Sequence, residues 1–132
     1  NTMVLGCEQG IEAGYGSPEV VVDHCVLLNN DIGLRFGDSY AWADHTGSLT
    51  VTNTISVENL NDNAYNYVPE LEGPRDGVVS ITYSIVNDDD YNDGAGNLTG
   101  IVLWSEGYSL DPESVGIGAG DNGSDIGLLP LP

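Results

Sequence analysis

Apolar residues recur along this chain in short alternating runs. In the clearest of them Leu49, Val51, Ile55 and Val57 share one parity, while Thr50, Thr52, Thr54, Ser56 and Glu58 hold the other. A period of two is that of a β-strand with one buried face, so the run is expected to turn its apolar set to a core and its hydroxyls to solvent. Two further runs superpose on it: residues 22–26 (VDHCV) and 81–85 (ITYSI) stand 29 residues before and 30 after residues 51–55 (VTNTI). A second register, Gly10 to Gly14 (GIEAG) and Gly33 to Gly37 (GLRFG), matches at a spacing of 23, with Ile11 and Leu34 in equivalent places. Repetition at such periods marks a solenoid, in which one unit buries nothing alone and stacking creates the core. The unequal spacings place the spare residues in loops at the turns. His24, Asn53 and Tyr83, third in each five-residue segment, interrupt the parity where a one-residue bend between strands would fall. Asn53 suits such a bend because Asn tolerates a left-handed backbone.

The segments VTNTI (51–55), NNDIGLRFGDSY (29–40) and GSDIGLLP (123–130) resemble the secreted right-handed parallel β-helix repeat proteins of pectate-lyase-like architecture, over essentially the whole chain. The resemblance implies an all-β fold: a right-handed parallel β-helix (solenoid) of roughly four coils over residues 1–104, closed by an irregular C-terminal cap over 105–132, all within one domain, 1–132. The prolines of the final LLPLP suit a stop, since proline has no amide to give a ladder. The opening NTMVLGCEQGIEAG reads as entering partway through a coil, as expected of a fragment or of one piece of a larger assembly. This architecture carries lyases, hydrolases and adhesins, so it constrains fold more than chemistry.

Composition narrows the partners. A chain of 132 residues supports one modest core. Its 21 acidic residues face only Arg35 and Arg75, for a net charge of -19, which disfavours nucleic acid and anionic lipid and attracts divalent cations, calcium first among them. The 40% of hydrophobic residues, regularly patterned, distinguishes the chain from a disordered acidic tail. No apolar run reaches the length of a membrane span, so no membrane insertion is expected. Cys7 and Cys25 are too few for a disulfide scaffold and lack metal-ligand spacing; a bridge between them and two separate thiols both remain open. Asn97 and Asn122 begin glycosylation sequons, in keeping with a secreted, extracellular or cell-surface protein.

The densest acidic run, NDDDYNDGAGN (87–97), offers Asp88, Asp90, Asn92 and Asp93 ahead of Gly94. Oxygen ligands two apart on a tight turn suit calcium, though the glutamate and flanking helices of an EF-hand are missing. Asp31, Asp38 and Asp44 form a looser acidic set whose simpler role is to cap turn amides. If Ile11 and Leu34 point inward, Glu12 and Arg35 point outward from neighbouring coils about 4.8 Å apart, as a stacked ion pair. The resemblance supplies a competing role. Related polysaccharide lyases hold calcium on carboxylates against a uronate while an Arg or Lys removes the proton, and Arg35 is the candidate base. Glycoside hydrolysis needs two carboxylates across the sugar, and Glu12 has no convincing partner. His24 and His45 lack the Ser or Cys motif of a triad. Tyr40, Trp42, Tyr65, Tyr67, Tyr91, Trp104 and Tyr108 gather near predicted turns, where they either stack on sugars or cover coil ends. These features together favour a non-enzymatic extracellular structural or binding module. In that reading it is a calcium-stabilised scaffold engaging glycans or protein subunits through an open N-terminal coil, in a homo- or hetero-assembly. The alternative is a calcium-dependent polysaccharide lyase or its C-terminal end. An ice-binding threonine array ranks last, since Thr50, Thr52 and Thr54 belong to one coil and only Thr82 continues below.

Overall fold

A computed structural model describes residues 1–14, 18–37, 46–66 and 77–129. Ten strands are present among them: β1 (Thr2–Leu5), β2 (Gln9–Ala13), β3 (Glu19–Asp23), β4 (Cys25–Leu28), β5 (Ile32–Phe36), β6 (Ser48–Thr52), β7 (Ile55–Val57), β8 (Asp62–Asn66), β9 (Val78–Thr82) and β10 (Ile85–Val86). Each pairs in parallel with the strand three places on, giving a first sheet β1-β4-β7-β10, a second β2-β5-β8 and a third β3-β6-β9. The fold is all-β, with parallel strands in stacked sheets and no α-helix among the described residues, an arrangement compatible with a solenoid. The repeats align as their spacing predicts: Val22, Val51 and Ile81 are in register, as are Val26, Ile55 and Ile85, and Ile11 with Leu34.

His24, Asn53 and Tyr83 make the bends from the third sheet into the first, each with φ of +49°. That backbone costs a non-glycine residue about 1–2 kcal/mol, and the residues that follow supply a compensating ladder. The Cys25 amide donates to Thr54 Oγ1 (3.3 Å), the Thr54 amide to Ser84 Oγ (3.1 Å) and the Ser84 amide to Asn97 Oδ1 (3.0 Å). The two hydroxyls donate in turn to the carbonyls of Thr52 and Thr82, both at 2.8 Å. A second ladder lines the next corner, where the Cys7 amide donates to Asn30 Oδ1 and the Asn30 amide to Asn59 Oδ1, each at 3.0 Å. Buried polar groups are thereby partnered from one repeat to the next. Both cysteines are free thiols, Cys7 exposed and Cys25 buried.

The single buried face expected for residues 49–58 is divided in two. Leu49 and Val51 join Leu34, Phe36, Ala64 and Ile81 in an interior cluster, whereas Ile55 and Val57 lie in a second cluster with Val26, Leu28 and Ile85. Thr54 and Ser56, expected at the surface, are 0% exposed. The bend at Asn53 swings the chain into the first sheet, and that sheet is covered on both faces. Its outer cover is the segment 98–129, which takes in the described part of the expected cap and holds Val102 and Ile126 against the sheet. The cover begins at Leu98, bridged to Ile85, and is pinned by the Gly127 amide on the Asn53 carbonyl (2.7 Å) and the Leu129 amide on Asn1 Oδ1 (2.9 Å). Gly127 has φ of +94°, and a Cβ there would stand 2.7 Å from Ile55 Cδ1, so the cover lies flush on the sheet. Residues 88–97 meet the last repeat, with Tyr91 packed against the interior cluster.

Candidate functional site

The acidic loop is held from within. The Asp90 amide donates to Asp88 Oδ1 (3.0 Å), the Asp88 amide to Asn92 Oδ1 (3.3 Å) and Asn92 Nδ2 to Asp89 Oδ1 (3.4 Å). Asn97 closes the loop on the stack, donating to the carbonyls of Ile81 (2.9 Å) and Tyr91 (2.7 Å), while the Tyr83 amide donates to the Ala95 carbonyl (2.9 Å). A Cβ at Gly94 would run into that Ile81 carbonyl, so the close approach requires glycine.

Where the loop leaves β10, Asp88 stands beside Asp62 at the start of β8. Burial, and then the hydrogen bond and repulsion from Asp88, push the Asp62 carboxyl up to about 6. Burial, followed by the charges of Asp88, Asp90 and Asp62, pushes the Tyr91 hydroxyl up to about 12. Adjacent carboxylates of this kind either share a proton or accept a cation. Asp90 and Asp93 line a shallow cleft of about 300 Å³ along β9, apart from that pair. Among the described residues no three His, Cys, Asp or Glu side chains are grouped to hold a metal, so Asp88, Asp90 and Asp93 do not converge. A hard cation at the Asp62–Asp88 pair would complete its shell with loop carbonyls, amide oxygens and water, as oxygen-seeking cations do. Sequence reading missed Asp62, which lies far from the acidic run. Its one signal is register, because Asp62 occupies the ladder position of Ile32 in the strand above.

Arg35 lies across from Glu12, as the spacing of 23 predicts, with Nη1 at 3.6 Å from Oε1; its side chain is 13% exposed. In the amide orientation that satisfies both neighbours, Gln9 accepts from Arg35 Nη1 (2.6 Å) and donates to Glu12 (2.5 Å). Asp31 Oδ1 receives the Asn61 side-chain amide; its expected companions Asp38 and Asp44 lie outside the described residues, as do Tyr40, Trp42, His45 and Tyr67. Tyr65 is half-exposed on β8, and Trp104 meets Tyr108 edge to face at 6.0 Å. Thr50, Thr52 and Thr82 lie in paired positions of the third sheet, whereas Thr54 is turned inside. Asp23 is a hub: Oδ1 accepts from Thr52 Oγ1 (3.0 Å) and Asn53 Nδ2 (2.9 Å), and Oδ2 lies 3.0 Å from His24 Nδ1. Partial burial works against its charge, but the bonds from His24, Asn53 and Thr52 prevail and hold the carboxyl below its ordinary value.

Fold and site together define an all-β protein of stacked parallel sheets with acidic end loops. Compared with protein-family models, curated proteins and solved structures, the chain matches none.

Proposed function

We propose that this chain is a right-handed parallel β-helix of roughly four coils with pectate-lyase-like architecture, acting as a non-enzymatic extracellular scaffold that calcium stabilises and that engages glycans or protein subunits. The observation that carries the reading is the Asp62–Asp88 pair, two carboxylates held together at the last repeat in a chain of net charge -19. At neutral pH such a pair is relieved by a divalent cation far more than by dispersed surface charge. The rotation of the chain through three sheets and the aligned bends at His24, Asn53 and Tyr83 support the finer fold. Among the described strands β1, β2 and β3 each stand at the end of a sheet with one neighbour, and such edges suit a partner strand. The alternative, a calcium-dependent polysaccharide lyase with Arg35 as base, has less support because Arg35 is engaged by Glu12 and Gln9.

Thermal melting at pH 7 in calcium and in chelator tests the scaffold reading. Calcium at a hundred times its Kd is expected to raise Tm by on the order of 5–10 °C. Asp62→Asn should melt higher than the wild type in chelator and lose most of the calcium response. Identical wild-type melting in calcium and chelator would sink the proposal.

A further inference from the structure

The apolar columns of the first sheet run out at β1. Met3 is in register with Val26, and through it with Ile55 and Ile85, while Leu5 is in register with Leu28 and Val57. Val26, Ile55, Ile85, Leu28 and Val57 are all buried, whereas Leu5 is 39% exposed. Beside Met3 a groove of about 550 Å³ lies between β1 and the cover. Met3, Leu110, Leu128 and Leu129 are its apolar walls, and Asn1 and Asp125 belong to its polar lining. Its sheet residues come from β1 and not from β4, β7 or β10, so the groove opens on the side of β1 away from β4. A strand added there would lie about 4.8 Å beyond β1. Its residue opposite Met3 would continue the column of Val26, Ile55 and Ile85 into the groove. The next residue along would face the interior beside Val4, the register partner of Leu27.

Charge selects the occupant. At the far end of the same sheet Ile85 bridges Leu98, so head-to-tail stacking of copies meets the chain's own cover. Joining copies head to head would set the exposed Glu8 and Glu19 of one open coil against those of another, with a net charge of -19 on each chain. A basic segment meets no such repulsion. It also finds Asp125 in the groove, whose Oδ1 accepts the Gly118 amide (2.7 Å), leaving Oδ2 for a cationic side chain. In strand addition of this kind the backbone ladder supplies affinity, and a pocket for one side chain supplies selectivity.

We propose that β1 and the groove beside it bind an extended segment of a different chain, with an aliphatic residue opposite Met3 and a lysine or arginine near Asp125. The inference rests on the subunit-engaging reading above and adds the place and the chemistry of the partner. Met3 is the only methionine, so its ¹³C-labelled methyl group reports from the groove as a single resonance. The probe is the blocked peptide Lys-Thr-Val-Ile-Val-Thr-Lys, a palindrome able to pair in either direction. Its controls carry Asp in place of Ile, or Glu in place of both Lys. The first peptide should shift the Met3 methyl saturably, and each control should bind about tenfold more weakly or worse. Leu129→Asp, at an exposed side chain, should weaken the first peptide by about tenfold as well. Asp125→Asn retains the acceptor for Gly118 and should narrow the gap between the Lys and Glu peptides. A Met3 methyl unmoved by the first peptide would overturn the proposal, as would equal titration of the wild type and Leu129→Asp. So would a Met3 resonance that moves with protein concentration alone, since it would give the groove to a second copy. Melting in calcium and in chelator tests the scaffold apart from any peptide, so a silent Met3 beside an intact calcium response removes this groove and leaves the broader reading standing.

Discussion

The side chain of Asn97 accepts from the Ser84 amide and donates to the carbonyls of Ile81 and Tyr91, so three backbone groups at the end of the stack depend on it. Asn97→Ala should cost about 2–4 kcal/mol in urea denaturation, from several orphaned groups at about 1 kcal/mol or more each. Asn97→Asp should cost more, because a second oxygen would then face two carbonyls. The same bonds occupy the nitrogen that a glycan would need, which leaves Asn122, exposed in the turn Asp121–Gly123, as the accessible sequon. Asp62 gives the pH dependence. Its folded pKa of about 6 lies above the ordinary 3.8, so the folded chain holds this proton more tightly than the unfolded one. The stability it confers is fully present below pH 3.8 and is lost as pH rises through about 6. In chelator, urea midpoints of the wild type should fall relative to Asp62→Asn across that window, and parallel curves would refute the assignment.

At the scale of elements, the bends were legible in the sequence and the faces beyond them were not. His24, Asn53 and Tyr83 interrupt an otherwise strict alternation, and one interruption per repeat is what a one-residue corner requires. The alternation resumes after Asn53 in the same parity, so it gives no sign that Ile55 and Val57 have passed to a different core. Only the tertiary position of segment 98–129 makes that face apolar, and its glycine-rich sequence has no period to reveal where it lies. Thr54 was consequently expected in solvent, whereas it ties its repeat to both neighbours, its amide donating to Ser84 and its hydroxyl accepting from the Cys25 amide. Thr54→Val keeps the shape but removes the donor to Thr52 and the acceptor for Cys25, and should lower stability by about 1–3 kcal/mol. Thr54→Ser retains both bonds and should cost less; equal losses in the two variants would show that packing, and not the ladder, sets the cost.

At the scale of the whole molecule, 21 acidic residues surround a core that two arginines cannot neutralise. Self-repulsion of this size is screened by salt, since the Debye length falls from about 10 Å at 0.1 M to about 3 Å at 1 M. Melting temperature should therefore rise between 0.1 M and 1 M sodium chloride even in chelator, and a flat salt profile would show that the charges are already compensated in the fold. The acidic run was visible as a local string, but the pair that it forms was not, because Asp88 comes beside Asp62 only through the stacking of β10, which it follows, on β7. The outer cover imposes a different limit. It starts beside Ile85 and ends beside Asn1, and so fits a first sheet of four strands. Duplicating one repeat would widen that sheet by about 4.8 Å and leave a row of outward Val or Ile side chains bare. The cover thus acts as a ruler: this molecule can gain or lose a turn only if its own tail is recut to the same measure.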